Sequence, residues 1–146
     1  MRHTILFSII LLVFLAGCDK DKFQTTPGLQ FTSVNTTELR NGQLLQFRLA
    51  FTDAEGDLTD SIYVEKMVSD CPGSNFVILF PLPPFPSTTD QQGDIIVTFG
   101  YNISSEYQVA PQCQRDEIAT FRFVLRDKEN NASDTVLSPP VTIIYQ

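Results

Sequence analysis

Large apolar side chains recur at every second position between residues 45 and 51. Leu45, Phe47, Leu49 and Phe51 fall on one face, and Gln46 and Arg48 on the other. That is the period of a strand with one buried face. The same alternation runs through Phe121, Phe123 and Leu125, against Thr120, Arg122 and Arg126, and through Val141, Ile143 and Tyr145 near the C-terminus. Weaker runs at 29–34, 61–68, 76–80 and 94–101 predict four further strands, and no helical stripe interrupts residues 28–146. Turn-forming residues separate the runs: Asn41-Gly42, Glu55-Gly56-Asp57, Cys71-Pro72-Gly73, Gln92-Gly93 and Asn130-Asn131.

About seven strands in roughly 120 residues predict an all-β fold, an antiparallel β-sandwich of immunoglobulin-like type. Pro139 and Pro140 have no amide hydrogen to give a ladder, so the last strand is expected at an edge or broken there. Two segments align without a gap, 51–62 and 125–136, so that Asp53, Glu55 and Asp60 match Asp127, Glu129 and Asp134. Each leaves one of the strongest strands, and a sandwich would bring the two loops to one end. An apolar strand entering an Asp-x-x-Gly-Asp loop, with a later strand entering an Arg-Asp-x-x-x-Asn-x-Ser turn, resembles the immunoglobulin-like or cadherin-like domains of Bacteroidetes-type envelope lipoproteins. The resemblance covers residues 43–62 and 121–144 and implies fold and location, with no assigned activity.

Ahead of the strands, Arg2 and His3 precede an apolar run from Ile5 to Leu15, too short for a transmembrane helix and suited to a signal peptide. Its end, Leu15-Ala16-Gly17-Cys18, resembles the lipobox of bacterial lipoproteins, which implies lipidation of Cys18. The expected organisation is a signal helix at 1–17, a polar tether at 18–27 and the sandwich at 28–146. With Cys18 assigned to lipid, Cys71 and Cys113 remain as an even pair outside the cytosol and are expected to form a structural disulfide. Asp19 and Asp21 beside the anchor resemble surface-export signals in one bacterial group and inner-membrane retention signals in others. The expected location is the cell envelope, with the outer membrane favoured.

Charge narrows the function classes. The chain of 146 residues carries 17 acidic and 10 basic side chains, a net charge of −7, which argues against nucleic-acid binding. His3 is the one histidine, so a processed chain would lack the usual general base, and a Ser-His-Asp site is excluded. No enzymatic activity is expected. The acidic loops offer clustered hard oxygen ligands for Ca²⁺: Asp53, Glu55, Asp57, Asp60, Asp127, Glu129, Asn131 and Asp134. A standard EF-hand is excluded, because Leu58 and Val64 stand where that loop needs Gly and a bidentate Glu. The alternative use of these residues is as solvated turn formers. Residues 80–86, Phe-Pro-Leu-Pro-Pro-Phe-Pro, read either as a polyproline-like docking loop or as a rigid connector whose phenylalanines return to the core. Together these features predict a lipid-anchored binding or structural module, calcium-stabilised, that meets an envelope protein or glycan. An accessory carbohydrate-active or other hydrolytic protein is the alternative, and a deep cleft flanked by carboxylates would favour it.

Overall fold

Nine strands and one 3-10 turn make up the regular structure of the computed structural model, which describes residues 25–146. Residues 1–24, which include the expected signal segment, Cys18 and most of the expected tether, lie outside the described residues. The strands are β1 (Gly28–Val34), β2 (Glu38–Leu39), β3 (Leu44–Asp53), β4 (Leu58–Val68), β5 (Phe76–Pro81), β6 (Gln91–Gly100), β7 (Glu117–Asp127), β8 (Val136–Leu137) and β9 (Val141–Ile143). They form two sheets, β1-β3-β6 and β2-β9-β7-β4-β5, with β8 added on β7. All pairings are antiparallel except β2 with β9. The chain therefore folds as the all-β sandwich its periodicity predicts.

One-sided burial makes these segments strands. Along β3 the side chains alternate exposed and buried from Leu44 to Phe51, and β7 buries Ala119, Phe121, Phe123 and Leu125 in the same way. Aromatic rings knit the two sheets together. Phe47 of β3 lies 4.7 Å from Phe121 and 5.3 Å from Phe123 of β7, and Phe99 of β6 lies 5.6 Å from Phe121. Tilted and edge-on contacts of this kind add about 0.5–1.5 kcal/mol each beyond the area they bury.

Two details differ from the sequence pattern, at Gln92-Gly93 and at Tyr145. Gln92-Gly93 is not a turn but part of β6. Gly93 sits opposite Phe51, where a Cβ would approach that ring to 3.1 Å, so the glycine permits close packing inside a ladder. The turn lies just before it, at Asp90 with φ of 57°. Pro139 and Pro140 do break the last strand, dividing β8 from β9. Tyr145 falls beyond β9 and is exposed, its amide donating to Asp116.

The strand directions give the sandwich two unlike ends. Asp53 pairs with Gln91 and Leu58 with Asp127, so the 54–57 loop, the 82–90 connector and the 128–135 loop gather at one end. At the other, Cys71 and Cys113 form a disulfide with Cα atoms 6.2 Å apart, tying the β4–β5 turn to the loop that precedes β7.

Candidate functional site

Three inward rows of side chains end in a polar residue at the same end of the sandwich. On β3, Leu45, Phe47, Leu49 and Phe51 lead to Asp53; on β7, Phe121, Phe123 and Leu125 lead to Asp127; on β6, Phe99, Val97 and Ile95 lead back to Gln91. Asp53, Asp127 and Gln91 are 1 %, 0 % and 8 % exposed. Two carboxylates and an amide are thus sealed at one end of the core, where an unpaired charge is costly.

Their hydrogen bonds differ. Asp127 is fully engaged, with Asn131 donating from its backbone amide at 2.8 Å and from its side-chain amide at 2.7 Å. That is the turn-forming role, and it absorbs Asn131 as well. Asp53 is half engaged. Its Oδ2 accepts from the Asp57 amide at 2.9 Å, while its Oδ1 is buried without a partner. The Asp57 Oδ1 and the Gln91 Oε1 are buried and unpartnered too. All three are acceptors, and the group that would satisfy them together is a cation or a donor.

No basic side chain supplies it. Among the described residues the ion pairs are Arg40–Glu38, Arg48–Asp94, Lys66–Glu117, Arg115–Asp70 and Arg122–Glu65, and none involves the acidic end. Lys128 lies exposed at this end, with its backbone amide donating to the Asp57 carbonyl at 3.0 Å, and the charges that act on Glu55 are acidic. Glu55 is exposed on the 54–57 loop, and desolvation followed by repulsion from Glu129, Asp57, Asp127 and Asp53 raises its carboxyl above the ordinary range. Glu129 is likewise exposed.

Asp60 and Asp134 are exposed as well, and neither joins the buried acceptors. The Asp60 carbonyl receives the Leu82 amide at 2.7 Å, and Asp134 lines a shallow cleft with Gly28, Phe51 and Thr52. The eight-residue acidic set therefore divides into buried Asp53 and Asp127, half-buried Asp57 and Asn131, and exposed Glu55, Asp60, Glu129 and Asp134. Among the described residues no three of its carboxylates bring their oxygens within 4.8 Å of one another. The group that does so, Cys71, Cys113 and Glu117, consists of a disulfide and the partner of Lys66.

Gln91 was not among the sequence candidates. Its amide nitrogen donates to the Pro86 carbonyl and lies 3.4 Å from Thr88 Oγ1. Two acceptors on the nitrogen side fix the amide's orientation and leave its oxygen as the free atom.

Residues 82–90 behave as the connector. Phe85 stacks 5.1 Å from Phe51, Phe80 lies 4.8 Å from Tyr107, and Leu82 is buried. The connector also touches the 54–57 loop. The Asp90 amide donates to the Ala54 carbonyl at 2.9 Å, and Gly56, at φ of 69°, packs against the Thr88 backbone so closely that a Cβ there would collide with it.

No protein-family model matches the chain, and no curated protein matches it. Among solved structures it is similar to the CARDB domain of a Pyrococcus furiosus protein in complex with di-metal ions. The identity is 9 %, the match covers 84 % of this chain and 98 % of that one, and the TM-score is 0.36.

Proposed function

We propose that this chain is a non-enzymatic, lipid-anchored module of the bacterial cell envelope whose acidic end binds a divalent cation, Ca²⁺ by the chemistry of its ligands. The observation that carries the cation is the buried, unpartnered Asp53 Oδ1, together with the Asp57 Oδ1 and Gln91 Oε1, which are likewise buried without a partner and enter none of the ion pairs. Hard carboxylate and amide oxygens suit calcium. The lipobox-like residues Leu15 to Cys18 support the anchor and an outer-membrane location, and the acidic end is the surface offered to an envelope protein or glycan.

Two surface clefts bear on the hydrolytic alternative. One, of about 560 Å³, has Asp134 as its single carboxylate. The other, of about 830 Å³, is lined by Glu65 and Asp70, which are held by Arg122 at 3.1 Å and Arg115 at 3.2 Å. Neither presents the free carboxylate pair that glycoside hydrolysis needs. Among the described residues no helix is long and apolar enough to cross a membrane.

Calcium at about 100 times its dissociation constant should stabilise the domain by about 2.7 kcal/mol, raising Tm by roughly 10 °C over the chelator-treated protein. Differential scanning calorimetry with CaCl₂ against EGTA reads this directly, and coincident transitions would refute cation binding. Mass spectrometry of the protein from native membranes should show a mature chain beginning at a lipid-modified Cys18. A free thiol there would remove the anchor.

A further inference from the structure

We infer that Gln91, at the start of β6, is a ligand of this cation together with Asp53 and Asp57, and that the bound ion thereby holds the 82–90 connector against the 54–57 loop. The inference rests on the cation reading above and goes beyond it by naming a neutral ligand from a third segment and a conformational consequence.

The placement follows from register. Asp53 and Gln91 are directly opposite on β3 and β6, and paired residues project from the same face of a sheet, with Cβ atoms about 5 Å apart. Both side chains are more than nine-tenths buried, and each keeps one oxygen free. Asp57 is brought to the same place by its amide, which donates to the other oxygen of Asp53 at 2.9 Å, and its own Oδ1 is the third free atom. Three oxygens from three segments are a partial shell for an ion that takes six to eight ligands, the remainder coming from water or from exposed carboxylates such as Glu55.

The Gln91 nitrogen makes the link to the connector. While its oxygen faces the ion, its Nε2 donates to the Pro86 carbonyl. An ion that fixes the side chain thus fixes the backbone of the connector, which already touches the loop bearing Asp57 through Asp90–Ala54 and Thr88–Gly56. Without the ion, the two aspartates and the amide oxygen oppose one another, and the connector keeps only its hydrogen bonds and the Phe85–Phe51 contact.

Isothermal titration of the mature protein with CaCl₂, and hydrogen exchange of residues 86–91 with and without Ca²⁺, test this. Wild-type protein should bind, and exchange across 86–91 should slow by about tenfold or more on saturation. Gln91→Leu should weaken binding at least tenfold. Gln91→Glu should bind as tightly as wild type or more so, because it restores the oxygen and adds charge while losing the donor to Pro86. A purely structural glutamine would show no such order, with both variants destabilised and Ca²⁺ affinity unchanged in whatever remains folded. If wild-type protein binds no Ca²⁺, the cation reading itself fails. If it binds but Gln91→Leu is equal to wild type, or 86–91 exchange is indifferent to Ca²⁺, the role of Gln91 is overturned while the cation reading stands.

Discussion

Replacing Glu117 by Leu should cost about 3–5 kcal/mol or more, the largest loss expected from a single side chain in this domain. Glu117 is 0 % exposed and accepts from four donors: Lys66 Nζ at 2.9 Å, Ser74 Oγ at 2.5 Å, and the amides of Gln112 at 2.6 Å and Cys113 at 2.9 Å. Its removal strands a buried ammonium with Ser74 Oγ as its one remaining partner, at 2.6 Å, and orphans two backbone amides. Lys66→Met should cost less, near the lower end of that range, because three donors still satisfy the carboxylate. The double variant should not recover the loss, since the amides of Gln112 and Cys113 stay unsatisfied. Urea denaturation with an unchanged slope would measure these differences, and equal effects of the two single substitutions would contradict this account of the cluster.

Acid should reproduce part of the effect. Burial raises the Glu117 carboxyl, but hydrogen bonds from Ser74, the Cys113 amide, Lys66 and the Gln112 amide outweigh it and bring it down to about 2. Burial lowers the Lys66 ammonium, and Glu117 opposes that shift. A carboxyl depressed in the folded state contributes stability that is complete above its unfolded value and fades as pH falls through its folded one. On the order of 3 kcal/mol should therefore disappear between about pH 5 and pH 2, and in Glu117→Leu this share of the acid dependence should be missing.

The sequence pattern reveals the strands because each long strand buries one face and so shows a period of two. It misses β2 and β8, which are two residues long and carry too few positions for any period. The gathering of the 54–57 and 128–135 loops at one end follows from matching Asp53 with Asp127, and the structure does place both at the ends of inward rows. The match fails to separate buried from exposed acids: Asp60 and Asp134 align as well as Asp53 and Asp127, yet they lie on the solvent side. Phase carries that information. Asp53 continues the row of Leu49 and Phe51 in step, Glu117 begins the row of Ala119 and Phe121, and Lys66 interrupts Ile62, Val64 and Val68. A charged residue in phase with a buried row signals a partnered charge or a site. Gln91 stays hidden because reading Gln92-Gly93 as a turn starts the strand at 94, three residues after β6 begins.

Removing the disulfide should be nearly as damaging as removing Glu117, and for a connected reason. Cys71 and Cys113 close a span with a sequence separation of 42, for which loss of the crosslink costs about 4 kcal/mol in the chain-entropy model. The bridge also positions the Glu117 partners. Ser74 follows Cys71 in the 3-10 turn Pro72–Ser74, its amide donating to the Cys71 carbonyl at 2.9 Å, and the Cys113 amide is itself a donor to Glu117. A Cys71→Ser/Cys113→Ser variant should therefore melt on the order of 15 °C lower, and its loss should not add fully to that of Glu117→Leu. The two changes share the same hydrogen bonds, so a double-mutant cycle should show a coupling of about 1 kcal/mol or more. Strict additivity would mean that the bridge acts on the unfolded chain alone, and the Glu117 cluster would then be held by strand register rather than by the crosslink.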